Sequence, residues 1–580
     1  MVDLASRLAS LSPFGRKQQL DTDDSGELVD SGSIAGGGHA GRHTELQDSL
    51  RVSEALRRFL AHEKVIRDDK PDSPTLSPTL HALLQRPHIQ VPPELTDRSH
   101  PLSAYFFSSS HNTYLKAHQL FGASEVSAYG STLAAGARCV EIDAWDDEAN
   151  ADEPKVTHGY TLVSHISFRA VCEAIRDVVD KEAQSAASTQ SGAAAPIFIS
   201  LENHCNPHGQ KRLVNIMQEV WGDRLLSSDV RRKGHEEQEG GAKVRLDELG
   251  SKIVVIAEYY FPGETVPDDD DDDDDEGSDG DSGEQEDTKK ARAEYAKKKK
   301  ATTTTVIIPE LADIGVCAQS CKPPNNSWFE SELVDGPHDH LINVSESALS
   351  TLLSPHKDMI AAHNANWLMR VYPKGTRISS KNLDPVPFWG IGAQICALNW
   401  QSFGPSMQLN EALFSGTDGF VLKPSYLRGG EKLPSKRKRL RLRIAGATDV
   451  PVPKGRESDD IKPYVSCVLI HPDDLSGKPP KCKTDHYKQA HIPFLRPGHK
   501  SPVTDPLWDE TLEWVYADDE LVFLRMLLKS DDKFAANPTL ATAAVRLHYA
   551  VKGWNFIRLI DPRGHETTCT LLVKVDIDDA

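Results

Sequence analysis

The 580-residue sequence contains no apolar run approaching the roughly 18 residues that a membrane-spanning helix needs. It is poor in aromatics (7 %), and its hydrophobic fraction of 38 % predicts that part of the chain stays outside any packed core. The opening stretch "MVDLASRLASLSPFGRK" lacks an apolar core followed by a cleavage site. That argues against secretion, and a cytoplasmic protein whose membrane contact is peripheral is expected. Nine cysteines, an odd number without tight spacing, suit a reducing compartment. Cys317 and Cys321 lie four apart, but no second pair completes a zinc site.

What is abundant is acid, and it is localised. The formal net charge is −20, yet residues 264–287 hold fifteen Asp and Glu and no Lys or Arg, which leaves the rest at about −5. Global charge therefore says little about partners. The acidic run and the basic "KKARAEYAKKKK" after it cannot bury enough apolar surface to order themselves, so 261–304 reads as a disordered linker.

Residues 1–48 are polar and glycine-rich and read as disordered. Within them "DTDDSGELVDSG" imitates a calcium loop, but its twelfth position is Gly32 where a bidentate Glu is required. Residues 49–99 read as a helical lead-in or a partial EF-hand-like lobe, with a helix expected over 44–64 carrying Leu46, Leu50, Leu56 and Leu60 on one face. From 100 to 260 apolar strands ("ARCVEIDAW", "APIFISLEN", "SKIVVIAEYY") alternate with amphipathic helices ("ISFRAVCEAIRDVV", "KRLVNIMQEVW"). The strand signals resume over 305–428 in "NWLMRVYP", "AQICALNW" and "GFVLKPSYLR". Such alternation implies right-handed crossovers and a parallel sheet or barrel. From 437 to 580 the segments become short, β-rich and separated by turn residues, which implies a β-sandwich.

Polar groups sit where apolar strands end. "FFSSSHNTYL" ends in His111 and Asn112, "RCVEIDAW" carries Glu141 and Asp143, "FISLENH" carries Glu202, and His158 lies in "VTHGYTL". In barrel-type folds the active site is assembled at the C-terminal ends of strands. A carboxylate in a buried strand must be paired or metal-bound. Asn112, Glu141, Asp143 and Glu202 are hard oxygen donors, a set suited to calcium better than to zinc. Two imidazoles, His111 and His158, suit acid–base work on a phosphoryl group near neutral pH. Together these groups point to metal-assisted phosphodiester cleavage. Plainer readings stay open: a histidine at a strand end is often structural, and Glu141 and Asp143 merely share one strand face. "ENHCNPH" also offers His204, Cys205 and His208 to zinc, at a spacing that fits no common site.

In this order "SSSHNTYL", "RCVEIDAWD", "HGYTLVSHISF", "ISLENHC", "RVYPKG" and "DGFVLKPSYLR" closely resemble eukaryotic phosphoinositide-specific phospholipase C. The resemblance implies an α/β fold: a split TIM-like barrel, X half over 100–260 and Y half over 305–428, with an all-β C2 sandwich over 437–580. It implies calcium-dependent hydrolysis of phosphatidylinositol or its 4,5-bisphosphate to diacylglycerol and inositol phosphate in lipid signalling. The implied partner is an inositol phospholipid at the membrane surface, reached peripherally and without a transmembrane segment; no nucleic-acid partner is implied. By resemblance His111 and His158 are the catalytic histidines, and Asn112, Glu141, Asp143 and Glu202 the calcium ligands. The same resemblance makes Glu141 the group expected to take the proton from the attacking inositol hydroxyl. Arg370 and Tyr372 match the family's headgroup contacts, and Asn343 or Ser345 stands where the family has a phosphate-binding serine.

Two departures carry expectations. Ile256 and Glu258 stand where the family usually carries lysines that reach the ring phosphates, so preference for the bisphosphate is expected to be weak. In the sandwich, Asp449, Asp459 and Asp460 suit a first calcium loop, while Lys529 stands near Asp531 and Asp532 where an acid is expected. A mainly structural C2 domain is therefore expected. The basic run "KLPSKRKRLRLR" reads equally as a lipid-touching patch or as a linker entering a strand.

Overall fold

The computed structural model describes Glu27–Leu28 and residues 49–67, 70, 73, 75–116, 123–157, 164–189, 194–226, 243–261, 306–331, 333–373, 382–431, 436–488, 501–531 and 538–580. The acidic run, most of the calcium-like loop, His158 and Asp532 lie outside these residues.

Eight parallel strands close into a barrel. The first half supplies β1 (Tyr105–Phe107), β2 (Cys139–Trp145), β3 (Ile197–His204) and β4 (Ile253–Glu258). The second supplies β5 (Gln319–Cys321), β6 (His340–Ser345), β7 (Leu368–Tyr372) and β8 (Ile395–Cys396). The ladder runs β2–β3–β4–β5–β6–β7–β8–β1, and a parallel bridge between Ser109 and Cys139 joins β1 back to β2. The halves meet twice: at β4–β5, where Ala257 faces Gln319, and at β8–β1, where Ile395 faces Phe107. Near-continuous burial along β2 and β3 is what a parallel strand enclosed on both faces requires. Phe107 packs its ring against Phe198 at 4.9 Å and Phe420 at 5.0 Å inside this enclosure.

The crossover helices follow the expected apolar spacing. Strand β1 is followed by α3 (Ser127–Ala134), β2 by α4 (Phe168–Thr189), and β3 by α5 (Pro207–Trp221). In α5, Asn206 caps the first turn by accepting from the His208 and Gly209 amides, and Leu213, Ile216, Met217 and Val220 are buried. In the second half α6 (Glu346–Asn364) follows β6, and α7 (Pro405–Phe414) follows β8.

In the lead-in, α1 (Glu54–His62) begins later than the 44–64 helix expected. The Ser53 hydroxyl accepts from the Leu56 amide and starts the helix there, which leaves Leu50 ahead of the cap. With α2 (Pro78–Gln85), α1 buries Leu56, Phe59, Leu60, Leu80 and Leu84 against Ala445, Phe556 and Leu572. The lead-in thus docks on the C-terminal sandwich. Glu27–Leu28, from the segment read as disordered, pairs antiparallel with Ser402–Phe403.

The sandwich holds eight antiparallel strands: β9 (Arg437–Thr448), β10 (Pro463–Ile470), β11 (Lys481–Lys483), β12 (Leu507–Ala517), β13 (Phe523–Ser530), β14 (Thr539–Arg546), β15 (Gly553–Ile560) and β16 (Glu566–Asp579). Their order is β11–β10–β13–β14 followed by β15–β16–β9–β12, and the two groups join at one register pair, Thr542 with Ile560. The basic run enters β9, and its charges face acids: Lys438 with Asp579, Arg439 with Glu513, Arg441 with Asp578, and Arg443 with Glu63 and Asp509. The strand-entry reading holds for 437–443. Arg51 binds Asp449 at 2.6 Å and Asp505 at 2.7 Å, so a loop acid counted toward calcium is already matched by a cation. Lys529 lies within β13 and is buried.

Sandwich and barrel share one face. Every residue of α7 after Pro405 is buried. Gln408 accepts from Arg525 Nε at 2.6 Å and from the Thr542 hydroxyl at 3.0 Å. The Tyr549 hydroxyl donates to the Leu413 carbonyl, and Trp389 lies 5.7 Å from Phe523.

Two histidines at the start of β6 and the end of α6 meet in the barrel wall, His340 Nε2 to His363 Nε2 at 3.0 Å, with Trp367 stacked on both. Burial, reinforced for His340 by its neighbour, lowers their pKa values to about 3 and about 4. The unfolded chain takes up these protons near pH 6.5 and the folded chain does not. Stability therefore falls as pH drops below 6.5, at up to about 1.4 kcal/mol per pH unit for each histidine. Denaturant titrations between pH 7 and pH 4.5 should show this slope, and His363→Gln should flatten it.

Candidate metal and phosphoryl site

Strand register brings the polar groups together. Side chains two apart on a strand share a face, and β2 and β3 are in a register that sets Asp143 beside Glu202 and Glu141 beside Ser200. On the opposite wall β6 and β7 set Asn343 beside Arg370. The end of β1 closes the ring. There Asn112 takes a left-handed backbone conformation (φ 45°), which Asn tolerates better than most residues, and its amide donates to Glu141 Oε2 at 2.7 Å. Thr113 links the same turn to β2, since its hydroxyl accepts from the Glu141 amide at 3.0 Å.

Glu141 is the centre. Its Oε1 lies 2.5 Å from Arg370 Nη2, and both side chains are almost fully buried, at 1 % and 2 % exposure. Arg370 Nη1 donates to Asn343 Oδ1 at 3.0 Å and lies 3.9 Å from Glu202. Its guanidinium also lies 5.6 Å from the Tyr372 ring centre. Burial works to raise the Glu141 pKa, but Arg370 and then His111 overcome it and hold the carboxyl well below its usual range. Asp143 and Glu202 go the other way. Burial and the Glu141 charge push both well above theirs.

Three carboxylates thus face one guanidinium. Ligand oxygens of Glu141, Asp143 and Glu202 lie within 4.8 Å of one another, the one such three-residue group among the described residues. Asp143 Oδ1 is buried and has no hydrogen-bond partner, while its Oδ2 accepts from the Tyr114 hydroxyl at 2.5 Å. That same hydroxyl lies 3.1 Å from Asn112 Oδ1, which ties the amide to the carboxylates. Fully ionised, the cluster carries two uncompensated negative charges at low dielectric, a costly state that a hard divalent cation would neutralise. The orphaned oxygen and the all-oxygen donor set fit such an ion.

His111 stands beside this cluster, with Nδ1 2.8 Å from Asn399 Oδ1. Burial and the Arg370 charge lower its pKa, and Glu141 opposes them. Ser345 has a separate task. Its hydroxyl caps α6 by accepting from the Ala348 amide, and Asn343 is the member of that pair which reaches Arg370. The zinc reading of "ENHCNPH" is not supported by the side chains: His204 stacks on Trp145, Cys205 is buried in the core, and His208 Nε2 meets Asp152. Cys317 and Cys321 are likewise buried thiols within the barrel core.

Residues 98–259 match the family model of the X domain of phosphatidylinositol-specific phospholipase C, and residues 311–426 match that of its Y domain. The chain carries both domains of that family. Asn112, Glu141, Asp143 and Glu202 fall in the X match, and Asn343, Arg370 and Asn399 in the Y match. Among curated relatives, the rat 1-phosphatidylinositol 4,5-bisphosphate phosphodiesterase delta-1 is 28 % identical over 502 residues, covering 83 % of this chain and 61 % of the relative. The Candida albicans 1-phosphatidylinositol 4,5-bisphosphate phosphodiesterase 1 is 31 % identical over 537 residues, covering 83 % of this chain and 48 % of the relative. The chain therefore spans about half to three fifths of the length of these relatives. The solved structure of PLC21 from S. officinalis superposes with a TM-score of 0.65 at 23 % identity, covering 91 % of this chain and 62 % of that one. PLC21 from L. pealei gives 0.64 at 23 % identity, with 84 % and 57 % covered. This likeness shows the fold: a split TIM-like barrel with a C2 sandwich.

Two members of the site escaped the sequence reading: Tyr114 and Asn399. Tyr114 sits in "HNTYL" and looks like a core aromatic, and only the turn at Asn112 brings its hydroxyl to two ligands. Asn399 ends "AQICALN", the same polar end to an apolar strand that singled out the other residues, so it was findable.

Crowded carboxylates make a direct test. Calcium or another hard divalent ion should raise the melting temperature of the wild type, by about 2.7 kcal/mol of stability at a hundredfold excess over the dissociation constant. Glu202→Gln should cut that gain while leaving the protein in chelator at least as stable as wild type, as followed by calorimetry.

Proposed function

We propose that the chain is a calcium-dependent phosphoinositide phospholipase C that cleaves phosphatidylinositol or phosphatidylinositol 4,5-bisphosphate to diacylglycerol and an inositol phosphate. It would act as a cytoplasmic, peripherally associated protein in lipid signalling. No helix among the described residues is long and apolar enough to cross a membrane. The observation that carries the reading is the convergence of Asn112, Glu141, Asp143, Glu202, Arg370 and His111, drawn from both halves of the barrel, at one mouth.

Calcium, held by Asn112, Glu141, Asp143 and Glu202, would polarise a phosphoryl oxygen and acidify the attacking hydroxyl. Glu141, kept ionised by Arg370, is suited to accept the proton of the inositol 2-hydroxyl. That oxygen attacks phosphorus, the diacylglycerol oxygen leaves, and water then opens the cyclic phosphate. His111, with Nδ1 against Asn399, has Nε2 available to the phosphoryl group, and His158 is the partner acid for the leaving oxygen. Tyr372 offers a ring to the inositol, and Asn343, with Ser345 nearby, offers a polar contact to a substituent of that ring.

Glu258 shapes the headgroup preference. It ends β4, and its carboxylate accepts from the Asn203 amide at 3.0 Å beside the carboxylate cluster, while Ile256 is buried in the strand. Negative charge there repels ring phosphates, so discrimination for the bisphosphate over plain phosphatidylinositol is weak.

Inositol phosphate release from mixed vesicles tests both parts. Release should require calcium and fall ~100-fold or more in His111→Ala. Wild type should treat the two lipids similarly, and Glu258→Lys should shift the ratio toward the bisphosphate. Calcium-independent release, or none, would overturn the enzyme reading; a strong wild-type bisphosphate preference would overturn the role given to Glu258.

A further inference from the structure

His111 emerges from a turn, and a ring on a turn needs an external partner to fix its direction. The segment after β8 supplies one. The His111 amide donates to the Leu398 carbonyl at 2.8 Å, so the two backbones run side by side beyond the ends of β1 and β8. The next residue, Asn399, is 1 % exposed and turns its Oδ1 to His111 Nδ1 at 2.8 Å. Asn399 is itself clamped. Its amide donates to Asn382 Oδ1 at 2.5 Å, and the Asn382 side-chain amide donates back to the Asn399 carbonyl at 3.0 Å. One residue on, Trp400 Nε1 donates to the Ser109 carbonyl at 2.9 Å. Residues on both sides of Asn399 are thus tied to the strand that presents His111.

We propose that Asn399, held by Asn382, is the positioning residue of His111. An amide oxygen at Nδ1 requires that nitrogen to carry its proton, whether the ring is neutral or charged. Nδ1 is thereby committed to the protein, and Nε2 is the nitrogen that meets the substrate. The logic is that of a hydrolytic triad, in which a third group fixes the tautomer and direction of the catalytic imidazole. Here the third group is a neutral amide, so it adds no fourth negative charge beside the Glu141, Asp143 and Glu202 cluster. Asn382 acts one step further out, by fixing the backbone from which the Asn399 side chain projects.

The proposal rests on the phospholipase reading for its kinetics but not for its spectroscopy. The full-length chain is compared as wild type, Asn399→Leu, Asn399→Asp and Asn382→Ala on mixed phosphatidylinositol–phosphatidylcholine vesicles with calcium. Asn399→Leu keeps the side-chain size and removes the acceptor; kcat should fall ~100-fold with KM changed less than about threefold. Asn399→Asp restores an acceptor and should recover most of that loss. Asn382→Ala should lose less than Asn399→Leu, on the same kcat side. In parallel, ¹⁵N-histidine spectra, with the His111 signals assigned by their absence in His111→Ala, should show Nδ1–H in wild type and in Asn399→Asp. Asn399→Leu should show a tautomer mixture. Equal activity of Asn399→Leu and wild type, equal loss in Leu and Asp variants, or a pure KM effect would each overturn the proposal. So would an Nε2–H tautomer in the wild-type spectrum. If wild type releases no inositol phosphate while its His111 keeps Nδ1–H, the phospholipase reading fails and the positioning contact stands. If Asn399→Leu does not fold, by circular dichroism, the wild-type spectrum and the Asn382→Ala kinetics decide.

Discussion

The contact between Glu141 and Arg370 holds the centre of this molecule. The two residues are 229 positions apart in the chain, on β2 of one half-barrel and β7 of the other, and meet at 2.5 Å almost without solvent. A buried ion pair contributes little net stability, because desolvation offsets most of the attraction, but neither partner can be removed alone. Loss of Arg370 would leave three carboxyls crowded at low dielectric. Loss of Glu141 would strand a guanidinium, the backbone amide of Asn112 and the neighbour of His111 together. The pair therefore fixes how the halves are registered, and Asn112, Asn343 and Glu202 are oriented against it.

Around that pair the electrostatics divide the labour among similar groups. Glu141, Asp143 and Glu202 are chemically close, yet one is held ionised and two are pushed toward the protonated form. Proximity to Arg370 and His111, with the hydrogen bonds from Glu202 and the Asn112 amide, separates them. A divalent ion would reverse the difference for the two raised carboxyls, so ion binding and their ionisation are one event. The Tyr114 hydroxyl, shared between Asp143 and Asn112, keeps the donor set assembled in the meantime.

The fold was legible because its signals were local. Alternating apolar strands and amphipathic helices announced the barrel, and short alternating segments announced the sandwich. The carboxylates were legible for a related reason: a Glu and an Asp inside "CVEIDAW" violate the apolar pattern of a buried strand, and the violation has to be compensated. Tyr114 broke no such rule, and Asn399 showed only the weaker sign of a polar end to an apolar strand. A tyrosine in a core and an asparagine after a strand are ordinary, and their roles arise from contacts with residues distant in sequence. The start of α1 was misjudged because Leu46 and Leu50 extend the helical spacing past Ser53, and a single hydroxyl cap overrode that spacing. The zinc reading failed for a geometric reason, since neighbours in "ENHCNPH" turn toward three different parts of the barrel wall.

The burial of α7 on every side bears on how this architecture can be recombined. An independent lipid-binding module joins its host through a linker and a wet, polar patch, and can be exchanged for another. Here the last helix of the barrel is buried on all sides beyond Pro405, and Gln408 within it is shared by Arg525 and Thr542 of the sandwich. The sandwich serves as the outer wall of the barrel's final helix. Exchange for a different module at this position would have to rebuild that helix as well, which ties the two domains into a single inherited unit.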